Sequence, residues 1–324
     1  MNKLKKFLKE NMFTKYIYKG FSNVYNYRYR LMSDEKFAKT KYKKRMGIDL
    51  NLNNPTTFDE KIWWLKINYH NPLITICSDK YWVSEYLKLL GYEDLIVEKY
   101  AVYNKFEDIE FNKLPDRFFI KTTHGSGTNI IYDKNKPFDY KKYKKIFNKS
   151  LKTNYFNVHR EWGYKNVEPK IICEKILVEK GKVSPMDYKL FCFNGKVEFV
   201  TVTLSCSHED GSHRDTVEKN FYDRDFNYID VRFSDDNFDP KLVEKPNNLE
   251  KMIEIAEKLS KPFPEVRVDM YNIDGKIYFS EMTFYHNGGY NESTPKEFVK
   301  KMGDMIKLPK KKWQNSESRD FYVK

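Results

Sequence analysis

Cysteine is scarce and unpatterned. Cys77, Cys173, Cys192 and Cys206 are the four in 324 residues, none in a Cys-x-x-Cys pair and each inside an apolar run. That usage argues against a zinc site or a disulfide frame and points to reduced core thiols in a cytoplasmic chain. No apolar stretch approaches the roughly 20 residues needed to cross a bilayer. The opening MNKLKKFLKENMF has neither a long apolar core nor a small-residue cleavage site, so no secretory leader is expected. Internal repeats are absent, and so is low complexity apart from the Lys-rich end KLPKKKWQNSESRDFYVK. There is no Walker A sequence and no GxGxxG. No zinc-finger, RNP-like or helix-turn-helix pattern accompanies the charge, so no nucleic-acid partner is expected.

What is present describes a globular chain. Hydrophobic residues make up 40% and aromatic residues 17%, and the length suffices for one large domain or two to three packed lobes. The net charge is +13, and residues 1–50, with 14 Lys/Arg against 4 Asp/Glu, account for +10 of it. A basic arm on a nearly neutral body implies an anionic partner. Leu4, Phe7, Leu8 and Met12 recur at helical spacing among Lys3, Lys5, Lys6 and Lys9. Such a helix either lies on an anionic membrane surface or packs on the body, and the residues leave both open. The expected location is the cytoplasm, with peripheral contact at the inner face of the membrane in the first case.

Local patterns then order the elements. FDEKIWWLKINYH after Thr57 predicts a helix with Phe58, Ile62, Leu65 and Tyr69 on one side. SDKYWVSEYLKLLG predicts another, with Ser78 as N-cap and Gly91 as its stop. FFIKTT (118–123), IICEKILVE (171–179) and DYKLFCF (187–193) read as strands, and Asn194-Gly195 as a two-residue hairpin turn into KVEFVTVTL. NLEKMIEIAEKLS (248–260) is an amphipathic helix with Leu249, Met252, Ile253, Ala256 and Leu259 inward. EVRVDMY and KIYFSEMTF close a last hairpin around Asp274-Gly275. Helices mixed with antiparallel hairpins indicate an α+β protein.

Four pieces carry chemistry. In the last hairpin Val266, Val268 and Met270 alternate with Arg267, Asp269 and Tyr271. A three-residue turn ending on Gly275 sets Arg267 opposite Glu281, with Asp269 diagonal to Glu281 and Thr283 continuing the row. Two carboxylates and a hydroxyl suit magnesium carrying phosphates, and an arginine beside them suits an oxyanion. Taken alone, the same hairpin is an ordinary cross-strand ion pair. Lys121 before HGSGTN offers a charge and backbone N–H groups to phosphate oxygens. Glu174-Lys175-Ile176-Leu177 can present main-chain groups to an adenine edge. Lys80, after Asp79 at a helix start, can reach inward to phosphate.

The order of these pieces resembles the ATP-grasp superfamily. TFDEKIWWLK, SDKYWVSEYL, FFIKTTHGSGTNII, REWGYKN, DYKLFCFNGKV and VRVDMYNIDGKIYFSEMTFY look like the TupA-like family within it, from about Thr57 to Leu308. That family is associated with bacterial surface-polysaccharide and teichuronopeptide synthesis. The resemblance implies an ATP-grasp fold, two α+β lobes clasping ATP, with a helical basic N-terminal extension. It divides the chain into a basic helical extension (1–55), an N-terminal helical part (56–112), a lid lobe (113–178), a central lobe (179–308) and a basic tail (309–324).

Carried over by position, Lys80 and Lys121 contact ATP phosphates while Gly125, Ser126 and Gly127 close over them. Glu174, Lys175, Ile176 and Leu177 form the adenine hinge, and Asp187 or Lys189 meets a ribose or phosphate. Asp269 and Glu281 hold Mg2+, with Thr283 beside them, and Arg267 and Lys121 serve catalysis. Asn often stands in the superfamily where Thr283 stands here, and HNGGYNESTP replaces a Pro-Gly pattern of relatives. Arg160, Glu161, Trp162, His208, His213, Arg214 and Asn287 are candidates for substrate contact.

The implied reaction is ATP-dependent joining of a carboxylate to an amine through an acyl phosphate. A uronic acid or peptide-like chain would be one partner, and an amino acid or small amino alcohol the other. Two other activities share the expectation: a sugar or small-molecule kinase on the same scaffold, and a glycosyltransferase using Asp223-Arg224-Asp225 as a D-x-D metal motif. A non-enzymatic scaffold is a third, which intact Lys80, Lys121, Asp269 and Glu281 argue against.

Overall fold

The structure is a computed structural model and describes residues 29, 31–177, 184–204, 207–212, 214, 216–232 and 235–309. The expected helix over residues 3–12, the Lys-rich end from residue 310 on and Cys206 lie outside them. Helix α1 (Asp34–Met46) is followed by α2 (Phe58–Asn68), α3 (Pro72–Ser78) and α4 (Val83–Leu89). Thr57 starts α2 through a capping box, its hydroxyl accepting from Glu60 N–H while the Glu60 carboxylate accepts from Thr57 N–H. Phe58, Ile62 and Leu65 are buried along α2. Ser78 is not an N-cap, because α3 ends on it. Asp79 takes the turn instead, its carboxylate accepting from Tyr81 N–H at 2.8 Å. Gly91 follows α4 with φ +78°, the left-handed stop expected there.

A first sheet contains β1 (Lys99–Tyr103), β2 (Arg117–Thr122), β3 (Asn129–Asp133) and β4 (Ile171–Glu174) in the order β1-β4-β2-β3, all neighbours antiparallel. Strand β1 falls within 56–112, the stretch expected to be helical, and joins the first sheet through β4. Strand β4 ends at Glu174, shorter than the run 171–179 suggested. Phe118, Ile120, Ile171 and Cys173 face a core with Phe106 and with Phe147 of α5 (Tyr140–Leu151). The other face carries Phe119, Lys121 and Glu174, and it fronts the cleft. The short helix α6 (Tyr155–His159) follows α5.

The second sheet contains β5 (Asp187–Phe193), β6 (Lys196–Thr203), β7 (Lys219–Asp223), β8 (Tyr228–Ile229), β9 (Glu265–Ile273) and β10 (Lys276–Thr283), ordered β10-β9-β5-β6-β7-β8. Helix α7 (Leu249–Ser260) seals one face. Met252, Ile253, Ala256 and Leu259 form one core with Leu190, Val200, Val266, Val268 and Met270. Burial of this kind contributes about 25 cal/mol per Å² of apolar area. Helix α8 (Lys296–Met305) crosses α2 so closely that a Cβ on Gly303 would sit 2.5 Å from Thr56 O. Between β6 and β7, residues 207–212 reach the first sheet, where Ile131 N–H donates to Asp210 O at 2.7 Å. The two sheets thus enclose one cleft.

Candidate active site

Strand alternation builds the floor. Because β-strand side chains alternate, residues two apart share a face and direct cross-strand partners stand side by side. The register gives the row Glu281–Asp269–Lys189–Thr201–Phe221 across five strands. On one side of it runs Tyr271–Asp187–Thr203–Lys219, and on the other Thr283–Arg267–Phe191–Phe199. A bulge between Phe279 and Glu281 sets this register. The turn is the two residues Asp274 (φ +50°) and Gly275 (φ +80°), with Ile273 paired to Lys276. Unbroken pairing from that turn would set Asp269 against Ser280. The bulge brings Glu281 opposite Asp269, and Arg267 faces Thr283 rather than Glu281 as expected.

The polar face is not a solvated ion pair. Asp269 is 1% exposed and Arg267 8%. Arg267 donates from Nε and Nη2 to the two Asp269 oxygens at 2.6 and 2.5 Å, and from Nη2 to Thr283 at 3.2 Å. Its Nη1 donates to His286 Nδ1 at 2.6 Å. Burial opposes the Arg267 charge, but Asp269 and Glu281 outweigh it and hold its pKa above the usual arginine value. Burial pushes Asp269 up, with Arg267 and Lys189 acting against it. His286 is held well below the usual histidine range by burial and then by Arg267, so its ring is neutral and Nδ1 accepts. Glu281, half-buried at the lip, is raised by burial but brought down to about 2 by Lys80, Arg267 and Lys189.

Lysines from the first half of the chain complete the cleft. Lys80 Nζ donates to Gly125 O at 2.9 Å and pairs with Glu281 at 3.4 Å, tying the glycine loop to the opposite sheet. Lys121 pairs with Glu174, and Lys189 with Asp187 and Asp269. Gly125 and Gly127 have φ +74° and +79°. Tyr155, not among the expected site residues, donates to Ser126 O at 2.7 Å, and its ring fills the space where a Gly125 side chain would lie. The cleft has a volume of about 430 Å³ and takes in Lys80, Lys121, residues 125–127, Asp187, Lys189, Arg267, Asp269 and Glu281. A smaller pocket of about 110 Å³ adjoins it. Phe119 and Ile131 line that pocket from the first sheet and Tyr271 and Phe279 from the second, with residues 174–177 along its edge. Two apolar walls with a strand end between them suit a flat heteroaromatic ring.

The remaining expected contacts scatter. Arg214 and Asn287 line the large cleft, and His208 the small pocket. His213 lies outside the described residues. Arg160 is 2% exposed. It donates to the carbonyls of Tyr29 at 2.9 Å and Asn157 at 3.2 Å and pairs with Asp34 at 2.8 Å. It is a structural tie to α1, not a substrate contact. Glu161 and Trp162 are not on the cleft wall either. Trp162 stacks on His70 with ring centroids 3.9 Å apart, and burial raises Glu161 against the opposing charge of Lys66. The D-x-D motif is a turn: Asp223 Oδ1 accepts from Asp225 N–H at 3.0 Å and Asn227 N–H at 2.8 Å, and Arg224 pairs with Glu257 at 2.5 Å. Lys219, Thr201, Thr203 and His286 line the cleft without having been assigned to the site. A strand reading of KNFYD (219–223) would have put Lys219 on the face of Phe221.

A family model described as TupA-like ATPgrasp matches residues 60–307. No curated protein matches the chain. Among solved structures it is similar to a D-alanine–D-alanine ligase from Bacillus anthracis complexed with ATP, at 17% identity over 71% of this chain and 65% of that one, with TM-score 0.40. The chain therefore spans just under two thirds of that protein's length. It is also similar to the D-cycloserine synthetase DcsG, at 13% identity over 72% and 70% with TM-score 0.41. A third likeness is to the VanG D-Ala:D-Ser ligase from Enterococcus faecalis, at 15% over 71% and 60% with TM-score 0.39.

Proposed function

The chain belongs to the TupA-like ATP-grasp family, and we propose that it is an ATP-dependent carboxylate–amine ligase working through an acyl phosphate. The observation that carries this reading is Lys80, whose ammonium joins the glycine loop at Gly125 to Glu281 beside Asp269 and Arg267. Phosphate cations, a closing loop, a carboxylate pair and an anion-binding arginine thereby meet in one cleft.

In this reading the ring of ATP lies in the small pocket, and Lys80, Lys121 and the loop N–H groups face its phosphates. A carboxylate oxygen of the acid attacks the γ-phosphorus, the bond to the β-phosphate oxygen breaks, and ADP leaves. Arg267 faces the charge that develops on the acyl phosphate. An amine then forms the C–N bond, phosphate departs, and the amine proton is released. The closed loop keeps water from the acyl phosphate. Among the described residues no three His, Cys, Asp or Glu side chains gather into a metal cage. Asp269 and Glu281 instead stand opposite each other across β9 and β10, and a magnesium ion drawing its remaining ligands from phosphates and water would share them with Arg267 and Lys80. Such an ion supplies charge neutralisation on the triphosphate.

The family's association with surface polysaccharides supports a uronic acid or peptide-like carboxylate, joined to an amino acid or small amino alcohol. Among the described residues no helix is long and apolar enough to cross a membrane. The basic arm, residues 1–50, is assigned to peripheral contact with an anionic membrane surface, on the strength of its +10 charge. The test is a screen of acids and amines with ATP, following ADP and amide by mass spectrometry. With acid but no amine, hydroxylamine should trap a hydroxamate, and the true amine should suppress it. A stable phosphate ester without hydroxamate would replace the ligase by a kinase on the same fold.

A further inference from the structure

The magnesium pair, the hinge and the glycine loop account for β9, β10 and the first sheet, but the cleft floor continues across β6 and β7. Asp269 and Thr201 stand two strand spacings apart, roughly 10 Å. The floor there is polar although deeply buried: Thr201 and Thr203 are each 1% exposed. The Thr203 hydroxyl has no hydrogen-bond partner among the described residues, and its residue lines the cleft. An unpartnered buried hydroxyl costs about 1–3 kcal/mol, so its retention beside a cleft calls for a partner. Directly across from it on β7 is Lys219, paired with Asp235 at 2.5 Å. Lys219 is lowered by burial, with Asp235 acting against it and the charges of Arg267 and Lys189 adding to the depression. Lys219, Lys189 and Arg267 thus act on one another across one stretch of floor, each held by its own carboxylate: Asp235, Asp187 and Asp269.

Resting on the ligase reading, we infer that Lys219, Thr203 and Thr201 with Asp235 form the subsite for the acid substrate, and that this acid is a polar one. Its carboxylate lies between Lys219 and Arg267, and hydroxyl or amino groups on the adjoining carbons bond to the threonine hydroxyls and to Asp235. An apolar chain could rest on Phe221 but would leave the threonine hydroxyls, Lys219 and Asp235 without partners of its own.

The experiment is thermal denaturation of the full chain with Mg2+ and either ADP or a non-hydrolysable ATP analogue, titrated with D-glucuronate, L-glutamate, citrate and, as the apolar control, butyrate. At least one polar acid should raise Tm further in the presence of nucleotide, and butyrate should not. Lys219→Met should weaken that acid about tenfold or more while leaving the ADP shift in place. Thr203→Val removes a hydroxyl of nearly equal volume. It should weaken the acid roughly three- to tenfold while leaving the stability of the free protein equal or higher, which a packing role would not do. No response to any polar acid, an equal response to butyrate, or an acid response unchanged in both variants overturns the inference. So does a Lys219→Met variant that loses the analogue's shift but keeps that of ADP, which would set Lys219 against the γ-phosphate. No nucleotide shift in the unaltered protein would instead remove the ligase reading itself.

Discussion

Gly125→Ala is the most discriminating perturbation of the glycine loop. At φ +74° an L-residue is strained by about 1–2 kcal/mol. The new methyl would also occupy the space of the Tyr155 ring. If that ring swings aside, its hydroxyl loses Ser126 O, 2.7 Å away, a bond worth about 1 kcal/mol net. Together these oppose the observed loop conformation by about 2–3 kcal/mol. If turnover requires that conformation, the rate falls about 30- to 140-fold at about 1.4 kcal/mol per decade. Gly127 has φ +79° with open space around it, so Gly127→Ala bears the strain alone and should cost about five- to thirtyfold. Adding Tyr155→Ala to Gly125→Ala removes the clash, so the double variant should be less impaired than the product of its single changes. Steady-state ADP release reads the parent, the three single variants and the double variant, with Tm as the check on folding. Turnover of Gly125→Ala within threefold of the parent, or strict additivity in the double variant, would refute the clasp between Tyr155 and the loop.

Asp269→Asn and Glu281→Gln should each abolish ATP turnover, but with different effects on folding. Asp269→Asn leaves Arg267 buried without its bidentate partner and should lower stability by about 3 kcal/mol, whereas Glu281→Gln, half-exposed at the cleft lip, should lower it by less. Normal turnover in both would end the magnesium assignment. The folded-state pKa of Glu281 lies at about 2 against an ordinary 4.5, so its carboxylate contributes stability that is present above about 4.5 and lost as pH falls toward 2. The Tm difference between parent and Glu281→Gln should therefore be flat at neutral pH and shrink on acidification below about 4.5, and a difference that changes near pH 7 would contradict this. Deleting residues 1–12 should leave turnover of soluble substrates intact and weaken binding to anionic vesicles, each lysine near such a surface being worth roughly 1 kcal/mol. Equal vesicle binding with and without the segment would exclude a membrane role for it.

Much of the site was legible because its spacing is local. Arg267 and Asp269 share a face because they are two apart on a strand, whatever the strand pairs with. Lys121 before a glycine pair likewise states its geometry within a few residues. The readings that failed depended on distant chain. Ser78 resembles an N-cap in its own sequence, but α3 runs up to it, and Asp79 closes the turn. Asp223 and Asp225 have the spacing of a metal motif, yet Asp223 is bound into a turn with Asn227.

The sequence by itself determined the alternation, the Asn194-Gly195 turn and the left-handed stop at Gly91, and the order of cationic, glycine-rich and acidic segments along the chain. These follow from backbone preferences and side-chain periodicity over a few residues. Only the tertiary structure decided which charges meet. The bulge before Glu281 chose its partner across the hairpin. Antiparallel pairing of β5, β6 and β7 carried Lys219 to the floor beside Lys189, and packing against α1 took Arg160 out of the site. A charged residue in a sequence has no fixed role, because its neighbours come from segments tens to hundreds of residues away. Their meeting is set by which apolar faces the whole chain buries together.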